Sequence, residues 1–78
     1  MGLLETEAAR CGVFISDLKY NPYLNRLILM DLLEMPEERF SLEEWTEGIT
    51  YLTGTAHIFN NMSEMKAFLQ NYRKEQPE

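Results

Sequence analysis

Apolar residues recur at helical intervals in three stretches of this chain, and a fourth stretch reads two ways. Over residues 3–18, Leu4, Ala8, Cys11, Ile15 and Leu18 follow at steps of four and three, one face of a helix. Glu5 and Glu7 near its start suit the positive end of the helix dipole. Gly12, Val13 and Ile15 weaken the second half, so the pattern predicts a helix near 3–17 that gives way to extended chain towards its end. Tyr20-Asn21-Pro22 is a break followed by a start. Asn21 can cap, and Pro22 at the first helical position loses only an N–H that had no partner. Leu24, Leu27, Ile28, Leu32 and Met35 then form a stripe and Pro36 stops it, predicting a helix over 22–35. Leu29, Met30 and Leu33 widen the apolar surface, which suggests a central helix; a strand over 24–33 is the minor alternative.

Residues 41–59 carry a conflict. Ser41-Leu42-Glu43-Glu44 fits a capping box, Phe40 and Trp45 stand at hydrophobic-staple spacing, and Gly54 lies where a helix would stop. Leu42, Trp45, Ile49 and Leu52 keep helical spacing over 42–53. Thr46, Gly48, Thr50 and Thr53 are poor interior helix residues. A hairpin turning at Thr53-Gly54 pairs Leu52 with Thr55, Tyr51 with Ala56, Thr50 with His57 and Ile49 with Ile58. It places Ile49, Tyr51, Ala56 and Ile58 on one face, as a half-covered sheet requires. The hairpin is the favoured expectation, over about 46–52 and 55–60, with the capping box serving one turn at 42–45. From Asn61 the helical pattern returns in Met62, Met65, Phe68, Leu69 and Tyr72, capped by Asn61 or Ser63 and ending near Arg73 and Lys74. The succession of a hairpin, Phe59, a polar break and Glu64-Met65-x-x-Phe68-Leu69 resembles the ending of many small bacterial domains, and names no family.

The expected fold is therefore α+β. It is one small domain over 1–78 with N-terminal helices, a hairpin and a C-terminal amphipathic helix over 62–74, and a frayed tail at 75–78. An all-α four-helix bundle is the alternative.

Composition narrows the function more than the fold. A chain of 78 residues sits at the small end of what folds alone, burying about 60–65% of its unfolded surface. The longest apolar run, Leu27-Ile28-Leu29-Met30, is far short of the ~20 residues of a membrane helix. Cys11 is the only cysteine, which excludes an intrachain disulfide and a cysteine-based zinc cluster and fits a reducing cytoplasm. No secretory signal is visible at the start, so a cytoplasmic location is expected.

The net charge of −6 is concentrated: Glu34, Glu37, Glu38, Glu43, Glu44 and Glu47 against the single base Arg39 place −5 within 14 residues. Nucleic-acid readers need cationic surface, and the seven Lys and Arg here are scattered. Direct DNA or RNA binding is disfavoured. Segment 42–53, as a recognition helix, would carry three Glu and no base.

Candidate chemistry is thin. His57 is the only histidine, and neither acid–base catalysis nor metal binding follows from one side chain without a placed partner. Cys11 has only Arg10 beside it to lower a thiol pKa. The paired glutamates lie in a solvent-type run, not among apolar neighbours. No serine has a nucleophile-elbow context and no glycine lies in a phosphate loop. Met1-Gly2 at the start and Asn61-Met62-Ser63 match acylation and glycosylation patterns that the following acids and the missing signal reduce to chance.

What stands out is the acidic run interleaved with large aromatics. It predicts a non-enzymatic, cofactor-free protein-interaction module: a regulator, adaptor or inhibitor of phage or plasmid type. The expected contact residues are Glu37, Glu38, Phe40, Glu43, Glu44, Trp45 and Glu47, which would steer towards a basic partner surface. The apolar excess of helix 22–35 adds the expectation of a homodimer. The rival function is a small-molecule binder or enzyme subunit whose site forms only at an oligomer interface.

Overall fold

In the computed structural model, described over residues 2–75 for the backbone and 2–72 for the side chains, the chain is helical. Helix α1 is Leu3–Cys11, α2 Ile15–Tyr20, α3 Pro22–Glu34, α4 Leu42–Thr53 and α5 Met62–Glu75, with a single 3-10 turn at Glu37–Arg39. Among the described residues there is no strand. Of the tail expected at 75–78, Glu75 is the last residue of α5, while 76–78 and the side chains of residues 73–75 lie outside them.

The hairpin expected at 46–52 and 55–60 is therefore wrong, and with it the α+β class. The all-α alternative is the better description, with five α-helices instead of four. Magnitudes explain the outcome. Three threonines and one glycine inside a helix cost roughly 3 kcal/mol against alanine. Against that, Ser41 Oγ accepts from the Glu44 amide at 3.1 Å while the Glu44 carboxylate accepts from the Ser41 amide at 3.0 Å. Such a cap is worth about 1 kcal/mol. Gly54 closes the helix at φ 74°, where its missing Cβ avoids strain, and its amide reaches the Thr50 carbonyl. Trp45, Ile49 and Leu52 are buried on one face, each side chain worth roughly 1.5–3 kcal/mol or more.

The poor helix formers also have individual uses. The hydroxyls of Thr46 and Thr53 donate back to the carbonyls of Leu42 and Ile49, both at 2.8 Å. Thr50 Oγ1 accepts from the His57 amide at 3.3 Å, fastening the extended segment that follows. Gly48 is where α1 lands: a Cβ there would stand 2.9 Å from Leu3 Cδ2. Its absence lets the two helices close.

The helix expected over 3–17 is two helices. Gly12, at φ 70°, ends α1 with its amide on the Ala9 carbonyl, and the Val13 amide reaches the Ala8 carbonyl. Phe14 then starts α2, its amide donating to the Asp17 carboxylate at 3.1 Å. The weakness read at Gly12 is a complete break between two helices. Helix α3 begins as expected, with Asn21 Oδ1 accepting from the amides of Tyr23 and Leu24. For α5 the cap is Asn61, whose Oδ1 accepts from the Glu64 amide at 2.9 Å, while the Glu64 carboxylate accepts from the Asn60 amide at 3.0 Å.

The core gathers Leu3, Leu18, Ile28, Leu32, Trp45, Ile49, Leu52, Met65 and Leu69 from all five helices. Two polar devices lock it. The Asn25 side-chain amide donates to the carbonyls of Leu18 and Leu52, each at 2.8 Å, joining the ends of α2 and α4 through α3. Lys66 Nζ, on α5, donates to the carbonyls of Met35 at 2.7 Å and Leu33 at 3.0 Å, with Leu32 at 3.4 Å. These carbonyls lie at the C-terminal end of α3, where a cation is favoured; that of Leu32 also accepts from the Met35 amide.

Candidate functional site

The seven residues expected to meet a partner divide between interior and surface. Trp45 is wholly buried: its indole N–H donates to the Glu37 carbonyl at 2.8 Å, and Phe40, also buried, meets it edge-on with ring centres 5.9 Å apart. Lys66 Nζ lies over the Trp45 ring, 5.6 Å from its centre. The staple spacing of Phe40 and Trp45 is thus a packing signal, and neither ring lies on the outer surface. Glu44 is half-buried and occupied by the cap. Glu37 is half-buried, whereas Glu38, Glu43 and Glu47 are exposed.

The helical form of 42–53 gives these last carboxylates new neighbours. Glu43 and Glu47, one turn apart, lie on the face of α4 turned away from Trp45, Ile49 and Leu52, with Thr46 beside them and the half-buried Leu42, packed against the core, at the boundary of the inner face. The segment after Gly54 runs back beside them and brings Ile58 and Phe59. Together they line an open groove of about 440 Å³ with an apolar floor and Glu43 and Glu47 in its wall. Ile58 is 88% exposed, the most exposed large apolar side chain among the described residues. Leu42, Ile58 and Phe59 were not among the expected site residues. In the hairpin register Ile58 belongs to a covered sheet face, so only the helical reading of 42–53 would have exposed it.

The segment carrying Ile58 is held from behind. His57 lies flat on Phe59, with planes 6° apart and ring centres 5.8 Å apart, and its centre is 4.3 Å from that of Phe68 on α5. Its Nε2 is 3.2 Å from Thr53 Oγ1. This ring is a packing element with one polar contact. Among the described residues no three His, Cys, Asp or Glu side chains are grouped as metal ligands would be. Cys11 is half-buried at the end of α1, and the neighbouring Arg10 is engaged by Glu7 and Asp31.

A second feature lies across α1 and α3. Glu7 is only 1% exposed, and its carboxylate accepts from Arg10 at 2.6 Å. Arg10 also pairs with Asp31 of α3. With Glu34, Met35, Pro36 and Arg39 they line an open, charged depression of about 270 Å³. Beside it, α3 exposes Tyr23 (74%), Leu27 (42%) and Met30 (39%) on its outward side. No helix of the described residues is long and apolar enough to cross a membrane. Comparison with models of protein families, with curated proteins and with solved structures yields no match.

Proposed function

We propose that this chain is a non-enzymatic acidic protein-interaction module, a regulator, adaptor or inhibitor working in the cytoplasm, whose contact surface is the groove between α4 and segment 58–59. The observation that carries this reading is Ile58, fully presented beside Leu42 and Phe59 and bordered by the carboxylates of Glu43 and Glu47. An apolar anchor with charge at its edge suits a partner segment carrying an aliphatic or aromatic residue flanked by Lys or Arg. Glu38, also exposed, extends the negative field towards the start of α4. Phe40, Trp45 and Glu44 support the surface from within.

The test is affinity capture from the native lysate with the wild-type chain and with two variants, Ile58→Asp and Glu43→Lys/Glu47→Lys. Glu44 is left intact so that the α4 cap survives. Partners that disappear with Ile58→Asp, and associate more slowly with a flatter salt dependence in the double variant, support the reading. Recovery of the same partners at unchanged rates by both folded variants sinks it.

A second reading has its own observation. The depression around Glu7, Arg10, Asp31, Glu34 and Arg39 is open as it stands, and a second copy seated on α3 would wall it. A charged small molecule could then be held at the interface, in a binder or an enzyme subunit completed by oligomerisation. A thermal-shift screen of metal ions, charged metabolites and nucleotides tests this, since a ligand that binds only the folded state raises the melting temperature.

A further inference from the structure

Helix α3 is apolar on two opposite sides. Ile28, Leu29 and Leu32 face the core. At about 100° per residue, Tyr23, Leu27 and Met30 fall on a ridge roughly diametrically opposite. A helix apolar on both sides belongs in an interior, yet nothing within the described chain covers this ridge. The spacing 23, 27, 30, 34 alternates four, three and four, the seam of a two-helix contact. Its fourth position is Glu34, and Arg26 flanks the ridge near the other end. Both are exposed, and neither makes an ion pair among the described residues.

We infer that a second copy of this chain docks on the α3 ridge, with the two α3 helices antiparallel about a two-fold axis. Antiparallel packing sets Leu27 against Met30 of the other copy and Tyr23 against its Glu34, so the phenol O–H can donate to the carboxylate. Each Arg26 then lies within side-chain reach of the opposite Glu34. These contacts form twice, as a two-fold interface demands. A parallel pair would instead set Glu34 against Glu34 and Arg26 against Arg26. Charge selects the orientation, and the ridge supplies the attraction. Tyr20, 73% exposed and just before Pro22, can extend the contact at each end. A helix pair this short buries less than the ~800 Å² per partner of a standard interface, so the dimer forms at micromolar concentrations. The inference rests on the oligomer of the second reading above and narrows it to one face and one orientation.

Sedimentation velocity from about 1 to 200 µM tests it on the full chain and on variants whose helical circular dichroism is unchanged. The wild type is expected to move from the 9.2 kDa chain mass to twice that value. Leu27→Glu should weaken association about 100-fold, as for a central apolar contact. Arg26→Glu should weaken it about tenfold, and Arg26→Glu/Glu34→Arg should restore it. A wild type that stays monomeric throughout overturns the inference together with the oligomer reading. A dimer indifferent to Leu27→Glu overturns the face alone. A dimer that responds to Leu27→Glu but not to Arg26→Glu, or is not restored by the exchange, overturns the antiparallel arrangement.

Discussion

Replacing Lys66 by methionine isolates the contact that joins α5 to the end of α3. Methionine keeps most of the aliphatic stem and its packing while removing the ammonium from three carbonyls, those of Met35, Leu33 and Leu32. A hydrogen bond from a charged donor contributes roughly 1.5–3 kcal/mol net. A cation at a helix C-terminus adds about 0.3–1 kcal/mol. The three bonds share one Nζ and are not independent, and the position is only half-buried, so water replaces part of what is lost. The expected cost is about 2–3 kcal/mol. A chain this small holds only roughly 4–12 kcal/mol in total, and each kilocalorie moves its melting point by about 4–8 °C. Lys66→Met should therefore melt about 8–24 °C below the wild type, with a matching fall in the urea midpoint and an unchanged m-value. Added salt should alter the difference little, because the partners are carbonyl dipoles at contact distance and not remote charges. A loss below about 0.5 kcal/mol by urea titration would refute the reasoning.

Three further substitutions probe the other joints. Arg10→Ala leaves the buried Glu7 carboxylate without its partner and should cost about 2 kcal/mol in urea unfolding, most of it recovered when Glu7→Gln is added. Failure of that rescue would mean the loss came from elsewhere on Arg10. Asn25→Ala removes both bonds between the side-chain amide and the ends of α2 and α4, and should lower stability by about 2 kcal/mol while speeding amide exchange at both ends. Gly54→Ala forces a Cβ into the left-handed conformation at φ 74° and should cost about 1 kcal/mol by thermal melt; an unchanged melting point would argue against that C-cap.

The legible part of the fold is the part governed by local chemistry. Asn21-Pro22 and Pro36 bracket α3 through caps and a missing N–H, which no tertiary context needs to supply. Asn61 and the Met62–Tyr72 stripe do the same for α5. Helix α4 was misjudged because two local signals disagreed: caps at both ends spoke for a helix, and interior composition spoke for strands. What decided between them is tertiary. Gly48 is in α4 because Leu3, more than forty residues earlier, packs on it. Thr50 is there because its hydroxyl holds the returning chain at His57. A propensity scale charges such residues to the helix, although the packing that repays them lies elsewhere in the chain. The caps were the better guide, being specific in residue and spacing at both ends.

The site divides along the same line. Clustering of the acids is readable from composition, and Glu43 and Glu47 are at the surface as that clustering suggests. Phe40 and Trp45 lie beneath that surface instead of on it, because a staple pair adjoining a capped helix faces inward by geometry. Once 42–53 is helical, Trp45, Ile49 and Leu52 use up its inner face, and the chain leaving Gly54 brings Ile58 and Phe59 beside Leu42, Glu43, Thr46 and Glu47 with Ile58 exposed. Helix α3 shows the converse. Leu27 was counted with the core stripe beside Ile28, yet adjacent helical residues point about 100° apart, and the body of the protein covers only one of them. An apolar residue in excess of what one face can bury is therefore a statement about surface, and among the described residues the excess falls on Phe14, Tyr20, Tyr23, Leu27, Met30 and Ile58. Tyr23, Leu27 and Met30 lie along the ridge of one helix with Tyr20 just before it, Ile58 lies beside two carboxylates, and Phe14 stands apart ahead of α2. The two proposals are therefore compatible: a copy seated on the α3 ridge would leave the acidic groove of α4 open to a different partner.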